Sequence, residues 1–239
     1  MTAVSVHDQL TAWIESEEFS CLGAKSALHR GSLRQAHVGV MGTESATTAL
    51  HGALTEFVSR DLHPEQNFAT LVAVFEGPLG LSEPEFHTLL WKQLSALHAF
   101  DADRGFAWAE GADPDPDSPR FGFSVAGHPF FVVGLHENAS RITRRFPYPA
   151  MAFNSHHQFR RLVENGVYAK LQHRIREREM RLQGSINPNL AEFGEASEAR
   201  QYSGMPTDEQ WRCPFAPRTT TPRTPSAAGS ETTTRRSDA

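Results

Sequence analysis

Cysteine is scarce in this chain, which holds only Cys21 and Cys213. Two cysteines exclude a disulfide framework and any zinc site built on CxxC, and suit a reducing compartment. No apolar run approaches the ~20 residues that a membrane span needs. The first residues lack a basic stretch leading into an apolar one, so a cytoplasmic protein without membrane contact is expected. Positive charge is not in surplus either: 23 Lys and Arg face 28 Asp and Glu, a formal net charge of -5. That balance gives no general pull toward nucleic acid or anionic lipid and leaves a small molecule as the default partner. GxSxG, HExxH, the P-loop and a GxGxxG after a strand are all missing, so motif spacing by itself names no reaction.

What is present alternates between strand and helix periodicities. Leu10, Trp13 and Ile14 after a capping Asp8 predict a short helix that stops at a special turn over 19–25. Residues 36–40 read as a strand and 43–62 as an amphipathic helix. A second such unit follows, with a buried strand over 68–75 and a helix from Ser82 to Phe100 opened by a Ser82/Glu85 capping box. The Pro- and Asp-rich stretch 110–120 is an exposed loop. Residues 121–126 and 129–135 form a hairpin turning at Gly127 and His128, 150–153 add a strand, and 156–182 are helical with a break at Asn165 and Gly166. Residues 216–239 contain no large apolar side chain to offset roughly 1–2 kcal/mol of backbone ordering per residue, and predict a disordered tail. The expected fold is α/β (α+β), a single domain over 1–215 with a mixed β-sheet flanked by helices.

Polar residues concentrate in the last third, in His136-Glu137-Asn138-Ala139-Ser140-Arg141, Phe153-Asn154-Ser155-His156-His157, Gln183-Gly184-Ser185-Ile186-Asn187-Pro188 and Glu195-Ala196-Ser197-Glu198-Ala199-Arg200-Gln201-Tyr202-Ser203-Gly204. Together with Phe19-Ser20-Cys21-Leu22-Gly23-Ala24-Lys25 and Trp211-Arg212-Cys213-Pro214-Phe215, these segments resemble the YqcI/YcgG family over nearly all of residues 15–215. Two departures stand out: Ser20 replaces the usual proline before Cys21, and Glu137-Asn138 replaces a proline-containing pair after His136. Members of that family include haem-dependent hydroxylases of guanidino nitrogens, such as those of the cycloserine and guanitoxin pathways. The resemblance therefore implies haem b, O2, an external electron donor and an arginine-like substrate, with a homodimer left open.

A haem site needs an axial imidazole or thiolate on a rigid element within apolar surroundings. With no CxxCH the attachment is non-covalent. His156, where a strand gives way to a helix, is the favoured axial ligand; His136, at a strand end, and Cys21 are the alternatives. Lys25 and Arg141, inside the family-like segments, are candidates for the haem propionates, whereas Arg144 and Arg145 read as a solvated surface pair. A guanidinium calls for a carboxylate, and Glu195 and Glu198 qualify. Asn154, Asn187, Tyr202 and Ser203 can hydrogen-bond the amino-acid end or bound oxygen. Each also has a plain structural role open to it, the acids as residues of a helix N-terminus and the others as partners for buried backbone. The rival set His136, Glu137, His156 and His157 suits a non-haem iron enzyme, and a haem-binding sensor or storage protein without turnover is a further alternative.

Overall fold

The computed structural model describes residues 5–63, 68–190 and 195–218. It is a mixed α/β fold: a five-stranded sheet of order β1-β2-β5-β4-β3 with six α-helices. The strands are β1 (Leu33–His37), β2 (Thr70–Val74), β3 (Phe123–Val125), β4 (His128–Leu135) and β5 (Ala150–Ser155). Only β1 and β2 run parallel; β2, β5, β4 and β3 pair antiparallel in turn. The helices are α1 (Val6–Glu15), α2 (Leu22–His29), α3 (Glu44–Glu56), α4 (Glu83–Asp103), α5 (His156–Glu164) and α6 (Tyr168–Gln183).

The sheet is buried on both faces. In β2, Leu71 and Ala73 pack with Leu50 and Leu54 of α3 and with Phe86, Leu90 and Leu94 of α4. The alternate residues Val72 and Val74 pack with Leu10 and Ile14 of α1. Alternation along a strand sends successive side chains to opposite faces, so an unbroken apolar run is what a covered central strand requires. Each fully buried Leu or Phe contributes on the order of 2 kcal/mol.

Local chemistry sets the ends of the elements. The capping box of α4 forms as its sequence predicts, Glu85 accepting from the Ser82 amide at 2.8 Å. The cap of α1 is Ser5 rather than Asp8: the Ser5 hydroxyl accepts from the Asp8 amide at 3.1 Å, placing the acid in the first turn. β1 lies three residues earlier than the alternation of 36–40 predicts, and the turn after α1 gives way to α2, which its sequence pattern does not announce. The last turn of the helix predicted over 43–62 widens into a π-helical segment, Phe57–Asp61, which seats Phe57 in the core. The β3–β4 turn is made by Ala126 and Gly127, both at positive φ, so His128 belongs to β4.

Of the tail predicted to be disordered, 219–239 lie outside the described residues. Residues 216–218 still touch the domain: the Arg218 amide donates to His98 Nε2 at 2.9 Å and its guanidinium meets Asp103 at 2.7 Å. No helix among the described residues is long and apolar enough to cross a membrane.

Candidate active site

A cleft of about 420 Å³ opens where α5 and α6 cover β4 and β5. Its floor comes from the sheet: Phe131 and Val133 share one face of β4, and Asn154 is the β5 partner of Phe131. Leu171 and Ile175, one turn apart on α6, form an apolar wall with Phe159 of α5. The whole of α6 lacks a buried residue. Its C-terminal end is held by Arg141, which donates to the Ser185 carbonyl at 2.6 Å and to Glu179 at 3.2 Å.

Three polar groups are sunk into this apolar frame. His156, the first residue of α5, directs Nε2 at Glu198 Oε1, 2.9 Å away. The Tyr202 hydroxyl makes a very short hydrogen bond to the same oxygen and lies 3.1 Å from the Phe130 carbonyl. Burial pushes the Glu198 carboxyl above its ordinary value against the opposing pull of His156 and the two hydrogen bonds, and raises the Tyr202 phenol well above its own. Gly122 makes room for the imidazole: a Cβ there would lie 2.6 Å from His156 Cε1. Glu198 and Tyr202 start and end one 3₁₀ turn, Glu198–Gln201 capped by Ser197, and the Arg144 guanidinium fixes that turn through the carbonyls of Gln201 and Tyr202 at 2.7 and 2.9 Å.

Cys21 reaches the cleft from another element, as the N-cap of α2. Burial raises its thiol pKa, while the amides of Gly23 and Ala24 act on the sulfur in the opposite sense and favour the thiolate. Arg120, Arg160 and Arg176 supply the cationic side chains of the lining.

These positions sort the candidates read from the sequence. Cys21, Asn154, His156 and Glu198 line one cleft, with Tyr202 directly behind Glu198. Glu195 is exposed and outside the lining. Asn187 serves the backbone, its side chain accepting from the Asn189 amide at 3.0 Å, and Ser203 pairs with His87 Nδ1 at 2.7 Å, both away from the cleft. Lys25 caps α1 through the carbonyls of Glu15 and Ser16, and Arg141 anchors α6, so neither cation lines the cleft. Arg144 is half-buried with its guanidinium turned inward onto backbone carbonyls, and desolvation lowers its pKa to about 10; Arg145 bonds the Ala139 carbonyl at 2.8 Å.

The non-haem set does not assemble. The β4–β5 register pairs Phe130 with Ser155 and Leu135 with Ala150, so His136 and His156 lie at opposite ends of the two strands. Seven residues at about 3.4 Å per residue separate them by roughly 24 Å. Glu137 binds the Gly80 amide and Asn138 the Leu81 carbonyl, which places the second departure from the family pattern at the far end too. Among the described residues no three His, Cys, Asp or Glu side chains converge in a way that could hold a metal ion. His136 is stacked on Phe86 with 4.3 Å between ring centroids, and both of its ring nitrogens are buried without a partner.

The arrangement of Cys21, His156 and Glu198 draws on the same segments that carry the resemblance, and the YqcI/YcgG family model matches residues 10–216. The chain belongs to the YqcI/YcgG family. It is 27% identical over 214 residues to the uncharacterized protein YcgG of Bacillus subtilis (strain 168), a match covering 84% of this chain and 82% of that protein. No solved structure matches it. Within this YqcI/YcgG member, Arg120, Arg160, Arg176 and Gly122 are the site residues that sequence reasoning missed. Arg160 carries a signal in retrospect, lying four residues after His156 on the same face of α5.

Proposed function

We propose that this YqcI/YcgG protein is a haem-dependent monooxygenase that N-hydroxylates the guanidino group of L-arginine or a related compound, with the α5/α6 cleft as its active site. The observation that carries the reading is Glu198, a carboxylate buried in an apolar cleft and held by His156 and Tyr202. A guanidinium donating to its carboxylate meets little competing water there, which strengthens the contact. His156 and Tyr202 keep the carboxylate oriented, and both bind the same oxygen, Oε1.

The lining also fits haem. Apolar side chains supply the floor and one wall, Cys21 and His156 are the potential axial donors, and the arginines can meet propionates. Contact at 2.9 Å commits His156 and Glu198 to each other. Were His156 to hold haem, Glu198 would serve as its orienting partner and be withdrawn from the substrate. Cys21 meets no such conflict and would be the residue that holds haem in this reading; burial raises its thiol pKa and the adjacent α2 amides oppose that rise. When bound, haem supplies O2 binding and the oxidising power to place one oxygen atom on nitrogen, the other leaving as water with two electrons from an external donor. The protein's part is positioning: Glu198 holds one end of the guanidinium and selects the nitrogen presented.

Aerobic incubation of haem-supplied protein with L-arginine and a reductant, read by mass spectrometry, tests the function. The expected product carries one added oxygen and vanishes when air is excluded. Bound haem with no hydroxylated product from arginine or its guanidino analogues would instead support the sensor or storage reading.

A further inference from the structure

A second cavity, about 380 Å³, lies along another face of α5. His157, Arg161 and Glu164, at i, i+4 and i+7, line it, whereas His156, Phe159 and Arg160 line the cleft; Arg160 touches both. We infer that this second cavity is a binding site for a phosphate-type oxyanion, carried on α5 and β4. The inference does not depend on the haem reading.

Its polar wall is rich in donors and poor in acid. His128 of β4 is buried, its Nε2 2.8 Å from Ser155 Oγ, and its ring centroid lies 4.5 Å from that of His157. Ser155 Oγ accepts from the His157 amide at the start of α5. Gln158 is buried with its Oε1 committed to the Ala69 amide at 2.8 Å, which leaves Nε2 as the donor of that side chain. Arg160 and Arg161 complete the cationic side, His63 enters from the segment after the π-helical turn, and Glu164, exposed, is the one acid among the described residues of the lining. Val58, Leu62 and Ala69 add no charge.

Burial and the cationic neighbours of His128 act on it in one sense. Burial first, then His157, His156 and Arg160, drive its pKa down to about 3; His157 is lowered by burial and by Arg160, His156 and Arg161. Among the described residues the lining sets Arg160 and Arg161 against Glu164, although the chain as a whole is net negative. An oxyanion would take hydrogen bonds from Arg160, Arg161, Gln158 and the histidine ring N–H groups of this wall. A tetrahedral oxyanion offers more acceptor oxygens than a planar carboxylate to donors arriving from β4 and from successive turns of α5. The cavity exceeds what an inorganic ion fills, leaving room for a phosphate attached to a larger group.

Histidine Cε1–H NMR on the full chain tests this, with His128 and His157 assigned through His128→Gln and His157→Gln. Sulfate is expected to shift both resonances saturably. Arg161→Gln should weaken binding several-fold and Glu164→Gln tighten it; the latter alters an exposed side chain, so the test survives if the arginine variant fails to fold. Tighter binding of adenosine monophosphate than of inorganic phosphate assigns the source to a phosphorylated small molecule, and the reverse order to the free ion. Unshifted histidines, acetate binding as tightly as phosphate, or affinity indifferent to Glu164→Gln would overturn the inference.

Discussion

Single side chains carry the sharpest expectations. Glu198 must be ionised to grip a guanidinium, and burial holds its carboxyl above the ordinary range. Arginine affinity should therefore fall as pH drops toward that raised value, and Glu198→Gln should abolish both the affinity and its pH dependence, as a titration followed by calorimetry will read. At Gly122 an added methyl meets the His156 ring, so Gly122→Ala should displace the imidazole and cost substrate affinity while leaving thermal stability within about 1–3 kcal/mol of the parent. His136 calls for the opposite result. Its two buried, unpartnered nitrogens are a standing cost, of order 1–3 kcal/mol each when unsatisfied. His136→Phe should then preserve the fold, raise stability by about 1–3 kcal/mol and leave haem uptake unaltered. His128, held down at about 3, makes the folded state bind fewer protons than the unfolded one, whose histidine titrates near 6.5. Stability from this group is complete above about pH 6.5 and is lost as pH falls toward 3. Denaturant melts of His128→Gln between pH 4 and 7 should show a flatter acid limb than the parent.

At the scale of elements, the cleft depends on α6, which buries no residue and is held at its C-terminal end by Arg141 through Ser185 and Glu179. Arg141→Ala removes a buried guanidinium together with the contacts it makes, and hydrogen exchange should speed along α6 while the sheet stays protected. Preserved protection in α6 would show that its apolar side chains suffice to hold it. The same scale shows what the sequence makes legible. The β2 run, the Ser82/Glu85 box and the break at Gly166 have local causes, so those elements lie close to where periodicity places them. α2 was hidden because eight residues with a weak apolar stripe resemble a turn, and β1 was displaced because its edge position relaxes the alternation.

For the whole molecule, legibility stops where residues distant in sequence meet. That Glu198 would join His156, 42 positions away, cannot be read from either segment; nor can the separation of His136 from His156, which follows from an antiparallel register. Cationic candidates failed for a related reason: Lys25 and Arg141 look available in sequence but cap or anchor helices, while Arg120, Arg160 and Arg176 enter the cleft from segments without a motif. Membership of the YqcI/YcgG family covers the entire described core, and the account rests on one cleft in that core holding haem beside a buried carboxylate. Titration of the purified chain with haem, followed by the Soret absorption, tests that most directly. The account predicts stoichiometric uptake that is lost in Cys21→Ala and kept in His136→Phe; no uptake by the parent, or uptake unaffected by replacing Cys21 and His156 singly and together, would contradict it.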